Sequence, residues 1–209
     1  MENKEIVLVT GGTGLIGKAV VPILKKKGYQ VYILTRNKKK SKEKEFIYWN
    51  EKKGILDLNI LSKVHHIIHL SGSSIISKRW NEKRKKEIIS SRVNTTYFLF
   101  DKINELNEIK LKSFISASAV GYYETNTTFK EKKEEDKSGN CFTSHCCELW
   151  EKAANSFEKN SIRVVKLRIG IVVGNGTAIS KANNIFEKMR LLICFGNGKQ
   201  AFPWIHLQD

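Results

Sequence analysis

The chain has 209 residues, of which 41% are hydrophobic and 28% are charged, and its formal net charge is +16. This composition is typical of a globular domain, and it excludes collagen-like and disordered chains. No apolar run is long enough to cross a bilayer, so a membrane-spanning chain is excluded as well. The chain begins without a signal peptide and has four cysteines, which indicates reduced thiols and predicts a cytoplasmic protein.

The positive charge is the feature that favours a nucleic-acid partner. It is concentrated in lysine-rich runs at 38–44, 83–86 and 130–137. These runs contain no aromatic residue, and acidic residues interrupt the last one, so a base-stacking surface is not indicated. We therefore expect a solvated basic surface, with neither a membrane nor a nucleic acid as the main partner.

Apolar runs and helical periodicity alternate along the chain. Strands are predicted over 5–10, 30–35, 45–49, 64–71, 113–117 and 163–173, and helices over 15–27, 82–107 and 143–160. Strands that alternate with helices predict a parallel sheet with helices on both faces, joined by right-handed crossovers. The predicted fold class is therefore α/β, with a doubly wound parallel sheet.

The stretch VTGGTGLIGKAV joins the first predicted strand to the first predicted helix. Gly11 lets the chain turn tightly out of the strand, Gly14 lets the backbone approach a pyrophosphate, and Gly17 lets the helix pack close to the strand. The helix N-terminus then offers free N–H groups and a partial positive charge to the phosphates. In this strand–turn–helix context, the glycines predict a dinucleotide site.

The end of the second predicted strand indicates which dinucleotide binds. Sites for NAD place a carboxylate about 20 residues after the glycines, where it binds the ribose 2′-hydroxyl. Here Arg36 occupies that place, and a guanidinium suits a 2′-phosphate. The sequence therefore predicts NADP as the cofactor, with NAD as the alternative.

Several segments together resemble an atypical subfamily of the extended short-chain dehydrogenases/reductases, the epimerase family proteins. They are TGGTGLIG, the TRN after the second strand, HLSG, SGSSIISKRW, SASAVGYY, LRIGIVVGNGTAI and WIHLQD. The resemblance covers essentially the whole chain and implies a Rossmann domain over residues 1–175 that binds NADP(H). It also implies that residues 176–209 begin a substrate-binding part, which we expect to be mostly absent because the family counterpart continues beyond Asp209.

The resemblance also implies, by matching position, a set of cofactor-binding residues. The phosphate-binding turn would comprise Gly11, Thr13, Gly14, Leu15, Ile16 and Gly17. The adenosine side would be flanked by Leu70, Ser71 and Gly72. Arg36 would contact the 2′-phosphate, Asn94 in the long helix would brace the active-site region, and Ser116 would lie near the nicotinamide.

Typical members of the wider superfamily use a serine together with a Tyr-x-x-x-Lys pair on the following helix. The tyrosine moves a proton, and the lysine lowers the tyrosine pKa. Ser118 fits the serine position and would orient the substrate oxygen. The tyrosine and lysine positions fall on Cys141 and His145, so both standard residues are missing here.

Three interpretations of this helix remain open. In the first, Tyr122 or the adjacent Tyr123 carries the proton, or His145 does, since an imidazole titrates near neutrality. In the second, the protein binds nucleotide without catalysing a reaction. In the third, Cys141, His145 and one of the two following cysteines bind a metal, although a second ligand pair is missing and no metal site is predicted.

Core packing, rather than metal binding, is the other interpretation of Cys146 and Cys147. The three histidines of the fourth predicted strand, His65, His66 and His69, are expected to have a structural role. Arg79 and Trp80 follow that strand either as substrate contacts or as an anchor of the next helix. Arg168 in the sixth predicted strand either braces the substrate side or forms a structural salt bridge.

The function predicted from the sequence is hydride transfer at a hydroxyl-bearing carbon of an unknown small substrate, in which a sugar nucleotide is one option. A nucleotide-binding or regulatory protein without catalysis is the first alternative, since the Tyr-x-x-x-Lys pair is missing. A basic RNA-binding protein is the second.

Overall fold

The computed structural model describes residues 4–123, 131–177, 198 and 201–209. The strands are β1 (Ile6–Thr10), β2 (Gln30–Thr35), β3 (Phe46–Tyr48), β4 (His66–His69), β5 (Ser113–Ala119), β6 (Arg163–Ile169), β7 (Ile171–Val173) and β8 (Trp204–His206). The α-helices are α1 (Leu15–Lys26), α2 (Leu58–Leu61), α3 (Glu82–Asn104) and α4 (Phe142–Ala154). None of these described helices is long and apolar enough to cross a membrane.

Six strands form one parallel sheet in the order β3-β2-β1-β4-β5-β6. The strand order reverses between β1 and β4, which pair with each other in parallel. Sheets of this doubly wound type bind ligands beyond the carboxyl ends of the strands at such a reversal. The predicted fold class is confirmed, and the glycine turn follows β1 at this place.

Apolar side chains cover both faces of the large sheet. Successive residues of a strand point to opposite faces, so Val7 and Val9 of β1 pack with Val21 of α1, whereas Leu8 belongs to the core on the other side. On that second face, the rings of Phe114 and Phe157 stack with their centroids 3.8 Å apart. Leu99 and Ile103 of α3 and Ala154 of α4 belong to the same core as Leu8, so α1 packs on one face of the sheet and α3 and α4 on the other.

The prediction of one strand over 163–173 is wrong. The ladder of the large sheet ends at Ile169, and β7 pairs with β8 in a separate two-stranded parallel sheet. The break falls at Gly170, where a Cβ would lie only 2.9 Å from the carbonyl oxygen of Pro203. Glycine permits this close approach of the segment that leads into β8.

Other boundaries also differ from the predictions: α3 ends at Asn104 rather than at residue 107, and β5 continues to Ala119 rather than ending at residue 117. The helix predicted over 143–160 consists of α4 and a 3-10 helix, Asn155–Asn160, which begins at two poor helix formers, Asn and Ser. The strand predicted over 64–71 pairs regularly only in β4. The domain boundary at residue 175 remains a prediction, because most of the following residues lie outside the described part of the chain.

Candidate functional site

Close backbone contacts fix the glycine turn between β1 and α1. Gly11 has φ +68°, and a Cβ there would lie 2.7 Å from the carbonyl oxygen of Leu70. A Cβ on Gly17 would lie 2.5 Å from the carbonyl oxygen of Gly11, so α1 packs directly on the turn. A Cβ on Gly14 would meet, among the described atoms, only that same oxygen within 4 Å, so the other side of Gly14 is open.

The N-terminus of α1 is suited to bind an anion. Its N-cap residue is Gly14, which supplies no side-chain hydrogen bond, and the first turn contains no acidic residue. The N–H groups of Leu15, Ile16 and Gly17 therefore lie at the positive end of the helix dipole without a capping side chain. With Thr13 exposed beside them, these groups fit the pyrophosphate of a dinucleotide.

Thr10, which the sequence reasoning missed, joins the glycine turn to the end of β4. Its buried hydroxyl accepts hydrogen bonds from the backbone N–H groups of Leu70 and Ser71, each with a donor–acceptor distance of 3.1 Å. The same hydroxyl lies 2.9 Å from Nδ1 of His69. Because both lone pairs of the hydroxyl are used, its own proton is donated to Nδ1. The imidazole then carries its proton on Nε2, which lies 3.4 Å from the hydroxyl of Thr95.

His69 is neutral in this arrangement. Burial lowers its pKa from 6.5 to about 3, because a charged imidazole would lose its hydration in the core. His65 and His66 also bond to protein groups, the first accepting from the N–H of Ile6 and the second contacting Ser113 and Glu5. The three histidines thus make the structural contacts that we expected of them.

The other predicted cofactor residues lie on several elements. Arg36 directly follows β2 and is exposed, and Gly72 lies so close to Arg92 that a Cβ would be 2.9 Å from the guanidinium carbon. Asn94 is exposed on α3, whereas Ser116 is buried in β5. The structure brings the turn, residues 70–72 and the end of β2 to one edge of the sheet, and the cofactor roles of all these residues remain predictions.

A shielded ion pair lies between α4 and the ends of β5 and β6. Arg168 donates two hydrogen bonds to Glu151, from Nε to Oε1 and from Nη2 to Oε2, and each has a length of 2.9 Å. Ser118 donates a hydrogen bond of 2.6 Å to the same Oε1. Burial alone would raise the pKa of Glu151, but the hydrogen bonds from Arg168 and Ser118 outweigh it and hold that pKa below its ordinary value.

Arg168 also holds the two tyrosines that follow β5. Its guanidinium carbon lies 3.5 Å from the ring centroid of Tyr122, which is a close cation–π contact. Its Nη1 donates a hydrogen bond of 2.7 Å to the hydroxyl of Tyr123 and one of 2.8 Å to the carbonyl oxygen of Glu134. The structural salt bridge considered for Arg168 is therefore present, and the same side chain fastens the tyrosines and residue 134.

The two residues at the tyrosine and lysine positions of α4 have different surroundings. Cys141 is the N-cap residue, and its Sγ lies 3.0 Å from Oγ1 of Thr143 and 3.1 Å from Oγ of Ser144. Burial acts to raise the pKa of this thiol, but these hydrogen bonds outweigh it and lower the pKa to about 7. His145 lies one turn further on and is exposed.

Within the described residues, no group of three His, Cys, Asp or Glu side chains is arranged to hold a metal ion. Cys146 and Cys147 lie in the core, with 4% and 6% of their surface exposed. Burial raises the pKa of both thiols. Core packing therefore accounts for these two cysteines.

The segment between β4 and α3 reaches across to the N-terminus of α4. The ring of Trp80 contacts that of Phe142 edge to face, with the centroids 5.1 Å apart. Arg84, one of the first residues of α3, donates a hydrogen bond of 3.1 Å to the hydroxyl of Ser77. Trp80 and the adjacent Arg79 are exposed, so this anchored segment borders the site.

A sequence model of the NAD dependent epimerase/dehydratase family matches residues 7–209. The chain belongs to this family. Among family relatives, the epimerase family protein YfhF of Bacillus subtilis is 35% identical over 207 residues, which are 97% of this chain and 66% of that protein. The chain thus spans slightly less than two thirds of the length of this relative.

Two solved structures of similar proteins have the same fold as this family member. Human epimerase family protein SDR39U1 (isoform 2), crystallised with NADPH, has a TM-score of 0.81 and 30% identity, covering 98% of this chain and 66% of its own. A nucleoside-diphosphate sugar epimerase from Corynebacterium glutamicum has a TM-score of 0.81 and 27% identity, covering 99% of this chain and 42% of its own. The resemblance to epimerase family proteins is confirmed, and the NADPH in the human protein agrees with the prediction of NADP.

Proposed function

We propose that this chain binds NADP(H) at the turn between β1 and α1 and contributes to hydride transfer at a hydroxyl-bearing carbon of a small substrate. The observation that carries the proposal is the pairing of this turn with Arg36, where an NAD site would have a carboxylate. The NADPH in the 30% identical human protein supports the choice of cofactor. The sugar nucleotide epimerase among the similar structures supports a sugar-nucleotide-like substrate.

Each part of the site has a role in this proposal. The N–H groups of the first turn of α1 bind the pyrophosphate, Arg36 pairs with the 2′-phosphate, and residues 70–72 line the adenosine side. Ser118, at the end of β5, binds the reacting oxygen of the substrate. When bound, the cofactor supplies the hydride chemistry, and the chain positions the cofactor and the reacting oxygen of the substrate.

Nucleotide binding without turnover is a second candidate function. It is favoured by α4, which carries Cys141 and exposed His145 where the superfamily has tyrosine and lysine. In this case the chain would act as a nucleotide-responsive partner rather than as an enzyme. Turnover distinguishes the two candidates, because both require the same cofactor.

The experiment has two stages. A fluorescence titration with NADPH should show saturable binding at micromolar cofactor, and absence of binding would exclude both candidates. NADPH oxidation with a panel of carbonyl compounds, and NADP⁺ reduction with sugar nucleotides, then measure turnover. Binding to RNA at physiological salt, in place of NADPH binding, would instead favour a basic nucleic-acid-binding protein.

A further inference from the structure

The proposed function requires a group that takes the proton of the substrate hydroxyl, and α4 lacks the usual tyrosine. Ser118 is the side chain at the serine position; it is buried, and its hydroxyl proton points along the 2.6 Å hydrogen bond to Glu151. A hydroxyl that donates in this way presents its lone pairs to other partners. Ser118 can therefore accept a proton from a substrate hydroxyl.

We propose that Ser118 and Glu151 form a proton relay that replaces the missing tyrosine and lysine, with Arg168 as its positioning residue. This inference rests on the proposed function. In the oxidation direction, the O–H bond of the substrate breaks and its proton moves to Oγ of Ser118. The O–H bond of Ser118 breaks at the same time, and that proton moves to Oε1 of Glu151. The substrate carbon becomes a carbonyl as its hydride leaves for the nicotinamide of NADP⁺, and reduction runs the same transfers backwards.

The geometry around Glu151 prepares it for this role. Both carboxylate oxygens are fixed by the two hydrogen bonds from Arg168, so Oε1 stays in line with Ser118. The side chain of Glu151 is 9% exposed, and an interior hydrogen bond of this kind is electrostatically stronger than one in water. The fork of an arginine suits this two-point grip, which a lysine ammonium cannot reproduce.

The groups that face Glu151 keep it ionised before the proton arrives. From β6 they are Arg168 and Lys166, from β5 the hydroxyl of Ser118, and from its own helix Cys147. The two cations and the serine favour the carboxylate, and the Cys147 thiol is neutral because burial raises its pKa to about 11. The proton acceptor is therefore available from mildly acidic to mildly basic pH.

The pH dependence of the rate distinguishes Glu151 from Cys141 as the proton acceptor, because the pKa of the Cys141 thiol is about 7. If Cys141 took the proton, the oxidation rate would rise about tenfold per pH unit below pH 7 and level off above it. If Glu151 takes it, the rate at saturating substrate should stay nearly flat from about pH 5.5 to about pH 8.5.

The test compares E151Q with E148Q, which changes an exposed glutamate of the same helix. NADP⁺ reduction is measured with sugar nucleotides and secondary alcohols, and each variant is checked by its melting temperature and its Kd for NADPH. We expect E151Q to lower kcat by about 100-fold or more with its Kd within about twofold of wild type, and E148Q to resemble wild type.

Variants of the serine provide a test in which the ion pair stays intact. S118A should lose turnover as E151Q does, and S118T should regain a large part of it because the hydroxyl returns. A readout that needs no turnover is the carboxyl signal of Glu151 in an NMR titration of the cofactor-free protein. Its pKa should rise in S118A and rise further in R168K, since both changes remove hydrogen bonds to the carboxylate.

Several outcomes would overturn the relay. These are an E151Q rate equal to that of E148Q, a wild-type rate that climbs through pH 7 and is abolished by C141S, or a Glu151 pKa that S118A leaves unchanged. NADPH binding without oxidation of any substrate in the wild type would also overturn the relay, while cofactor binding would stand. Absence of NADPH binding would overturn the proposed function itself.

Discussion

The hydroxyl of Thr10 and the imidazole of His69 form one buried hydrogen bond of 2.9 Å that joins the glycine turn to the neighbouring strand end. The same hydroxyl satisfies two backbone N–H groups of the segment after β4. One side chain therefore fixes the relative position of the two segments that we expect to flank the cofactor.

Removing this hydroxyl should destabilise the fold. T10V keeps the shape of the side chain but removes the partner of Nδ1 of His69 and of the backbone N–H of Ser71, whereas the N–H of Leu70 keeps the backbone oxygen of Thr10 at 3.2 Å. The free energy of unfolding should fall by about 1–3 kcal/mol. T10S keeps the hydroxyl and should stay close to wild type. Urea unfolding of the three proteins measures the difference, and equal midpoints for T10V and T10S would contradict the bonding scheme.

His69 should make the stability depend on pH below neutrality. Its pKa is about 3 in the folded protein and near 6.5 in the unfolded chain, so the unfolded chain binds more protons between these values. Stability should therefore fall as pH drops below 6.5, with a slope of at most about 1.4 kcal/mol per pH unit from this group.

The slope between pH 6.5 and pH 4.5 is the diagnostic measurement, because the lowered pKa values of Glu5 and Glu151 act at lower pH. H69Q should flatten this part of the stability curve, whatever its effect on the stability at pH 7. An unchanged slope in H69Q would show that His69 is not the group responsible.

Arg36 should determine the preference for NADP(H) over NAD(H). R36A removes a charged partner of the 2′-phosphate and should weaken NADPH binding by about 10- to 100-fold, because hydrogen bonds to charged groups contribute about 1.5–3 kcal/mol. NADH lacks this phosphate, so its Kd should change by less than about twofold. Fluorescence titrations with both cofactors measure this, and equal losses for the two would contradict the assignment.

Gly17 should be intolerant of any side chain. The Cβ of G17A would lie 2.5 Å from a backbone oxygen, so α1 must move away from the turn. We expect the free energy of unfolding to fall by about 1–3 kcal/mol and NADPH binding to weaken, since the helix N-terminus is displaced. K26A, at the exposed far end of the same helix, is the control and should leave both quantities near their wild-type values.

The parts of the fold that local patterns encode were predictable from the sequence. The glycine turn and the alternation of strands and helices depend on neighbours in the chain, and the fold class followed from them. The family resemblance needed further segments, among them SGSSIISKRW, SASAVGYY and WIHLQD. The break between β6 and β7 was missed because apolar residues recur on both sides of Gly170, so residues 163–173 resemble one strand. The reason for the break, the approach of Pro203 to Gly170, comes from a segment 33 residues away (203 − 170).

The sequence named candidate site residues only where a motif or the resemblance gave them a position. Arg36 stands at a fixed distance from the glycines and Ser118 lies in a segment that resembles the family, and the roles of both remain predictions. Glu151 was missed because its contacts depend on a strand that follows it in the chain. The available signal was the combination of a glutamate on the buried face of α4 with an arginine at the end of the next strand. Thr10 was missed because a threonine that ends a strand is ordinary in sequence.

The break at Gly170 has a consequence for how much change the small sheet of this chain can tolerate. Because the hydrogen-bonded ladder stops there, a change of register in β7 and β8 cannot propagate into β6. Mutations and insertions that reshape the small sheet can therefore accumulate while Arg168 and its partners keep their alignment.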